Sequence, residues 1–361
     1  MNLVEVKDDK EQKKFIEFRK NLYKTHSRYV DNNLMMVKEL FAGKTPFCNN
    51  KKIYIMYVED ENRILCQGVI IYAKELSEYI QLAFFEAEEN QKEAVNLLVN
   101  KTIEIGKENN CQKLVIGLNG HVNYGLGFLA SHYDEKNSFS SSGNPEYYNE
   151  YFKNLGCEEI KLNTYKMDRI DNQIGKYQTW LEKLNQKYTF RYFDKKRFDE
   201  DSKIYTDLNN ASFNKHRYYY QRMYEEDKEM LKELFLFMQE DSLIFAFDGE
   251  KPIGFIMWYP DYNELAKPGE AFGVKHFIKN KVVGKKIQTV KVMEYGVLEE
   301  YRKKGVPLGL LKQVFLSVAK DSLIKAETSW ILEENLDSNR ICQSVCHEKY
   351  KRYVAYEKDI K

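Results

Sequence analysis

The stretch Lys291–Leu311, KVMEYGVLEEYRKKGVPLGLL, decides how this chain is read. It starts as an apolar strand that ends at Val297. A charged turn follows, Arg302-Lys303-Lys304-Gly305, and then an apolar helix beginning near Pro307. A turn that opens onto a helix start collects backbone N–H groups with no partner inside the helix, and three cations stand beside it. That combination is an anion site. Gly305 lets the backbone approach a ligand closely. No lysine followed by Ser or Thr closes the turn, so a P-loop is not expected. A diphosphate whose long tail lies along the preceding strand fits better. The plainer alternative is a basic turn that only caps a helix.

Downstream, Lys325–Ile331 alternates like a strand, Glu334-Asn335 and Asn339-Arg340-Ile341 introduce a helix, and Tyr350–Glu357 alternates again. The turn is similar to the R/Q-x-x-G-x-G/A motif of the GNAT superfamily of acyl-CoA-dependent N-acyltransferases. Arg302 and Gly305 match it, while the last small residue is Pro307, which offers no N–H. The run WILEENLDSNR, the pair Gly254-Phe255-Ile256 and Pro260-Asp261-Tyr262-Asn263, and in the first half Asn144–Tyr148, Leu155-Gly156-Cys157 and Tyr165–Asp168, resemble a bacterial tandem-GNAT subgroup. The resemblance covers most of the chain. It implies an α/β (α+β) fold of two tandem GNAT-like domains, each a mixed, mainly antiparallel sheet flanked by helices.

Length and composition agree with two domains. The 361 residues exceed one ordinary domain, and the net charge of +1 argues against a nucleic-acid or membrane partner. No apolar run reaches the ~18 residues of a membrane span, and the N-terminus is charged from Glu5 onward. A cytoplasmic protein with reduced cysteines is expected. Cys342, Cys346 and His347 have no second Cys/His pair at useful spacing, so no metal is expected.

The halves repeat one layout: hairpin, strand, helix, strand, helix, strand. In the first half the hairpin strands are Ile53–Tyr57 and Gly68–Tyr72, followed by strand Gln81–Phe85, a helix over 90–107, strand Lys113–Gly117, a helix over 146–154 and strand Ile160–Met167. In the second half, after a helix over 173–184, strand Tyr188–Tyr192 and helices over 198–208 and 225–238, come Leu243–Phe247, the turn Asp248-Gly249 and Ile253–Trp258, a hairpin signature. The boundary is placed near Asp168–Asp171, giving a degenerate domain over 1–170 and an acyl-CoA domain over 171–361. Residues 119–146 break all periodicity and read as a functional or mobile loop, or equally as a surface insertion. The first half has the acidic run Glu86–Gln91 where the second has its cationic turn, so the donor is expected in the second half alone.

The resemblance implies acetyl-CoA or another acyl-CoA as co-substrate, held by Val297, Leu298, Arg302, Lys303, Lys304, Gly305, Val306, Pro307, Leu308 and Asn335. A backbone N–H near Val297 is expected to serve as oxyanion donor. The usual tyrosine acid falls at Cys342. Glu294 is the candidate general base, although alternation turns it to the face opposite Val297. Tyr259 and Asp261 are candidates for the acceptor pocket, with Asp261 as an ammonium ligand or merely a turn cap. The acceptor is a small-molecule or peptide amine. Arg217–Arg222 interleaves cations with tyrosines and is read as a loop over that pocket, or as packing, ahead of a nucleic-acid surface. Two other functions stay open: a non-catalytic acyl-CoA-binding scaffold, and aminoacyl transfer from tRNA, which the near-neutral charge disfavours.

Overall fold

A computed structural model of the chain describes residues 1–26, 28–170, 178–234, 239–282, 287–319, 324–346 and 348–360. Fourteen strands run in chain order: β1 Asn2–Glu5, β2 Lys51–Asp60, β3 Arg63–Ala73, β4 Tyr79–Ala87, β5 Lys113–Ile116, β6 Phe128–Leu129, β7 Glu158–Met167, β8 Thr189–Tyr192, β9 Leu243–Asp248, β10 Lys251–Pro260, β11 Thr289–Val297, β12 Lys325–Thr328, β13 Ile331–Leu332 and β14 Glu348–Asp359. The helices are α1 Asp9–Thr25, α2 Leu34–Ala42, α3 Lys92–Glu108, α4 Tyr147–Asn154, α5 Gln178–Asn185, α6 Phe198–Phe213, α7 Tyr224–Leu234, α8 Val274–Val282, α9 Val306–Val318 and α10 Leu336–Cys346. The expected helices over 173–184 and 225–238 are seen as α5 and α7. Residues 173–177 and 235–238 lie outside the described residues, as does Asp171 at the expected boundary.

Local chemistry accounts for most of these elements. Asp8 accepts from Glu11 N at 2.9 Å while the Glu11 side chain reaches back, a capping box that starts α1. In α3, Ala94, Leu98, Thr102 and Ile105 recur at helical spacing and are buried against the sheet. The β9–β10 hairpin turns through Gly249, at φ +58°.

One sheet contains nearly everything, in the order β1-β2-β3-β4-β5-β14-β7-β12-β11-β10-β9-β8. Its centre is crossed. The last strand of the chain, β14, pairs with β5 of the first half, and β7 of the first half pairs with β12 of the second. Between them β14 and β7 form a long antiparallel ladder from Glu348↔Lys166 to Glu357↔Glu158. Each half's sheet is therefore completed by the other half's final strand.

Residues 119–146 do not form a surface insertion. Phe139 enters the core of the second half beside Tyr259, Tyr262 and Phe272. Its N–H donates to Asp261 Oδ1 at 2.7 Å, and Ser138 Oγ lies 2.8 Å from Lys291 Nζ, which also donates to Glu327 Oε1 at 2.8 Å. Buried polar groups at this seam find partners across the halves. The Arg217–Arg222 run serves packing as well. Tyr218 donates to Glu357, Tyr220 to Gly120 O, and Arg222 pairs with Asp227 at 2.8 Å.

Ending the chain after Cys346 removes β14 and leaves the facing edges of β5 and β7 unpaired. The truncated protein is expected to lose cooperative urea unfolding by far-UV circular dichroism. A sharp transition at the full-length midpoint would show that the crossed strands do not hold the sheet together.

Candidate active site

The parallel ladder between β11 and β12 stops at Val292↔Thr328. Ser329 N still donates to Val292 O at 2.7 Å, after which the chain swings away and β13 pairs with β7 instead. The expected single strand to Ile331 is thus two pieces, and the gap between them opens a cleft beside Met293–Val297. On the other side β11 stays paired with β10, with one register shift: Met257 faces Glu294, Trp258 faces Val292, and Met293 is the extra residue of a bulge. Leu298 N donates to Ile253 O at 3.0 Å, on the β10 side. Alternation then turns the Tyr295 and Val297 N–H groups to the cleft.

The cleft has a charged mouth and an apolar chamber. The mouth, about 630 Å³, is lined by Lys215, Arg217, Arg302, Lys303 and Arg340, with Glu334 and Asp337 among them. The chamber continues inward past Phe213, His216, Tyr295 and Asn335 to Leu311, Trp330 and Cys342. At the mouth, Gly305 has φ +83° and precedes α9. Pro307 lacks an N–H, so Val306 and Leu308 supply the donors of the first turn.

The cationic turn is less free than its sequence suggests. Arg302 donates through Nε to Val297 O and through Nη2 to Ser212 O, both at 3.0 Å. It braces the end of β11 against α6, so its assignment to the donor is narrowed to whatever its remaining N–H groups reach. Lys303 and Lys304 are exposed, and Lys304 lies 4.6 Å from the Tyr301 ring centroid. Leu298 spends its N–H on β10, and the Val306 and Pro307 side chains are buried in the core. Asn335 accepts from Ser338 N at 3.2 Å, capping α10, and lines both mouth and chamber.

Glu294 stands on the α6 face of β11, opposite Val297 as alternation predicts. Its Oε2 accepts from Tyr205 OH at 2.6 Å and Asn209 Nδ2 at 2.9 Å. Burial pushes its carboxyl up to about 7, with the Asp227 charge acting in the same sense and the Tyr205 and Asn209 hydrogen bonds and Arg222 opposing. Glu294 lines the apolar chamber and also a second cavity, of about 200 Å³, on the other side. That cavity lies between the halves. Asn33, Met36 and Phe47 come from the first, Met230, Met257 and Tyr259 from the second, and Asn123 and Ser140 of the 119–146 segment border both spaces. Tyr259 lines this cavity, its side chain buried and its hydroxyl 3.6 Å from Met257 Sδ.

Asp261 lines neither space. Its Oδ1 accepts from Phe139 N and from Asn263 N at 3.1 Å, so it caps a turn and anchors the 119–146 segment. Burial, then the Glu327 charge, raises its carboxyl to about 7. Cys342 is in the chamber wall with its thiol pushed up by burial, an inert small residue. Tyr295 was not singled out from sequence. Its hydroxyl has no hydrogen-bond partner among the described residues, its ring lines chamber and mouth, and burial together with nearby Cys342 raises its pKa. Tyr205 and Asn209 were also missed. Their i, i+4 spacing on α6 puts them on one face, a signal that means something only once Glu294 is known to point there. His347 lies outside the described residues, and among the described residues no cluster of His, Cys, Asp and Glu could hold a metal. Nor, among them, is any helix long and apolar enough to cross a membrane.

The first half has no such cleft. Its parallel ladder ends at Leu82↔Ile116. The space beyond is closed by the next residues: Phe84 N donates to Asn119 Oδ1 at 2.9 Å and Gly120 N to Gln81 Oε1 at 3.0 Å. Counting along β4 as along β11, Phe84 stands where Glu294 does. Glu86 is locked in an ion pair with Arg19 Nη1 at 2.8 Å, and Arg19 Nε also holds Asp31 at 2.5 Å.

No family model matches the sequence. Protein YghO of Escherichia coli is 25% identical over 252 residues, 66% of this chain, and the chain spans 64% of that relative's length. Among solved structures, a tandem GNAT protein from the clavulanic acid biosynthesis pathway matches over 100% of this chain and 98% of its own, with a TM-score of 0.59 at 10% identity. A GCN5-related glucosamine N-acetyltransferase region of a fungal multi-domain β-N-acetylglucosaminidase matches over 99% of this chain and 38% of its own, at TM-score 0.58 and 12% identity. A probable N-acyltransferase of Enterococcus faecalis follows at TM-score 0.55 and 7% identity, over 99% of this chain and 72% of its own. At these identities the likeness is one of fold.

Replacing Glu294 by Gln keeps an oxygen acceptor for Tyr205 and Asn209 and removes the charge. The folded carboxyl ionises near pH 7 against an ordinary 4.5, so native ionisation costs stability as pH rises through that window and costs nothing below it. Glu294→Gln should therefore unfold later than the native protein by about 1–3 kcal/mol at pH 8, with no difference near pH 4. Urea titrations at the two pH values check this; equal midpoints at pH 8 would mean that the site does not strain the carboxylate.

Proposed function

We infer that this chain, whose fold is that of the tandem GNAT proteins, transfers an acyl group, in the first instance acetyl, from coenzyme A to an amine. One observation carries the reading. Glu294, a carboxyl poised near neutrality, lies where a cationic-mouthed cleft meets a separate cavity that holds no part of that mouth. A general base between two substrates needs that placement and a pKa near working pH.

The residues divide the work. The start of α9, with the Val306 and Leu308 N–H groups and Lys303 and Arg340 nearby, suits the donor's phosphates. The open edge of β11 suits its amide-bearing arm, since the backbone groups there lack a strand partner. Ionised Glu294 takes a proton from the acceptor ammonium, directly or through one water. The freed amine attacks the thioester carbonyl, and the tetrahedral oxyanion accepts from the Tyr295 or Val297 N–H that faces the cleft. Carbon–sulfur cleavage then leaves a thiolate that needs a proton. Cys342 is a poor source, and Tyr295, whose unpartnered hydroxyl is buried in the wall of the same chamber, is the candidate acid. Closeness and orientation do much of the rest, because a thioester is already reactive.

Because only the ionised carboxylate accepts a proton, kcat/KM should climb with pH along a limb centred near 7. Glu294→Gln should lose that limb and about 10²–10⁴ of the rate while keeping its affinity for acetyl-CoA. Steady-state kinetics across pH with calorimetry reads both; a variant of undiminished activity removes Glu294 from the chemistry.

The donor end is tested at cations that do not brace the fold. Lys303→Glu with Arg340→Glu should weaken acetyl-CoA binding by at least about tenfold without moving the melting temperature, since both side chains are surface-exposed. Unchanged affinity by calorimetry would place the donor elsewhere.

A further inference from the structure

We propose that the acceptor is a diamine or longer polyamine, one amino group meeting Glu294 and a second, cationic one docking between Glu39 and Glu233 in the cavity between the halves. This rests on the transferase reading and gives the substrate a chemical class.

The cavity is the starting point. Glu39 on α2 and Glu233 on α7 line it, but neither lines the donor chamber. They come from different halves and line one cavity, and the Glu233 charge acts on Glu39. Among the described residues neither forms an ion pair with a lysine or arginine. Burial first, then the Glu233 charge, lifts the Glu39 carboxyl to about 7. Two acids brought together across a domain seam, Glu39 partly buried and Glu233 exposed, have no cation partner among the described residues, and a bound ammonium would relieve their repulsion. An ammonium has three donors for the oxygens available. Glu229 lies on the same wall.

A second observation is independent of the acids. Asn32 and Asn123 line this cavity, and Asn32 Oδ1 and Asn123 Nδ2 are buried atoms with no hydrogen-bond partner among the described residues. Unsatisfied buried polar atoms on residues that line a cavity are groups that a polar ligand could satisfy after a small side-chain shift. The remaining wall is apolar and pliable, with Met35, Met36, Met230, Met257, Phe47 and Phe272. Methionine adapts to irregular chains, and such a wall suits a run of methylenes. The occupant is thus cationic at both ends and aliphatic between them. Amino acids and acidic peptides carry a carboxylate that this wall repels.

The test uses the full-length protein and acetyl-CoA. Acceptors are the straight-chain diamines from diaminopropane to diaminooctane, the matched monoamines and the matched ω-amino acids. The same amines are also titrated by calorimetry. At the best chain length the diamine should exceed its monoamine by at least about 30-fold in kcat/KM, mostly through KM, with the ω-amino acid below both. Glu39→Gln with Glu233→Gln should raise the diamine KM by about tenfold or more and bring diamine and monoamine within about threefold of each other. Should the pair unfold the protein, Glu233→Gln alone reads the same KM change. Equal handling of diamines and monoamines in transfer and calorimetry alike, or an unmoved diamine KM in the variants, overturns the proposal. If monoamines are acetylated without any diamine preference, this proposal falls while the transferase reading stands. If diamines bind through Glu39 and Glu233 but no amine is acetylated, the transferase reading falls and the diamine site stands.

Discussion

The crossing of two strands at the centre of the sheet governs the rest of the molecule. Because β14 lies between β5 and β7, and β7 lies against β12, the halves share hydrogen bonds in mid-sheet, where a linker alone would leave only a surface contact. Backbone ladders tolerate no slippage without turning buried residues outward. The relative position of the halves is therefore fixed to within a register, and side chains from both can build one cavity. The 119–146 segment exploits this. Ser138 and Phe139 reach Lys291 and Asp261 only because the crossed strands hold the two sheets edge to edge.

A second constraint is local to β11. The bulge at Met293 and the end of the β12 ladder occur within one residue of each other. The first sets the register in which Glu294 meets Tyr205 and Asn209 on α6. The second strips the other edge of β11 of its partner and opens the cleft. Each alone would be a defect in a sheet. Together they place a carboxyl, exposed backbone donors and an apolar chamber within a few residues. The cost falls on Glu294, whose ionisation the surroundings resist. Such strain is what the proposed general base would need in order to exchange protons near neutral pH.

Much of this was legible in the sequence, and the limits have physical causes. The β9–β10 hairpin, α3 and the turn at 302–305 carry short-range signals: a glycine at positive φ, a 3.6 period, a glycine before a helix. Strand exchange carries none. Tyr350–Glu357 alternates in the same way whichever strand it pairs with. Helices α2 and α8 went unread, and residues 119–146 read equally as a functional or mobile loop or a surface insertion because buried polar segments lack periodicity. Asn137, Ser138 and Asn144 are buried all the same, each hydrogen-bonded. Arg302 matched a phosphate-turn motif, yet carbonyl oxygens claim much of its guanidinium. Asp261 reads from sequence equally as an ammonium ligand or a turn cap, and its Oδ1 accepts from two backbone N–H groups. A motif gives a residue's neighbours along the chain, whereas its partners across the fold decide which of its atoms are free.

The two halves also show how one layout gives unequal chemistry. At the position of Glu294 the first half has Phe84, and where the second half opens a gap the first fills it with Asn119. The acidic run at Glu86 is drawn into a buried ion pair with Arg19 instead of leaving a helix start free for an anion. A pair of carboxylates gripping one arginine stabilises only when fully paired, and it leaves nothing for a ligand. What the first half keeps is its outer surface: Asn33, Met36 and Phe47 form a wall that the second half cannot make from its own residues. Losing the cleft while keeping the wall makes a repeated domain part of the cavity beside Glu294, and the crossed sheet fixes that wall in place.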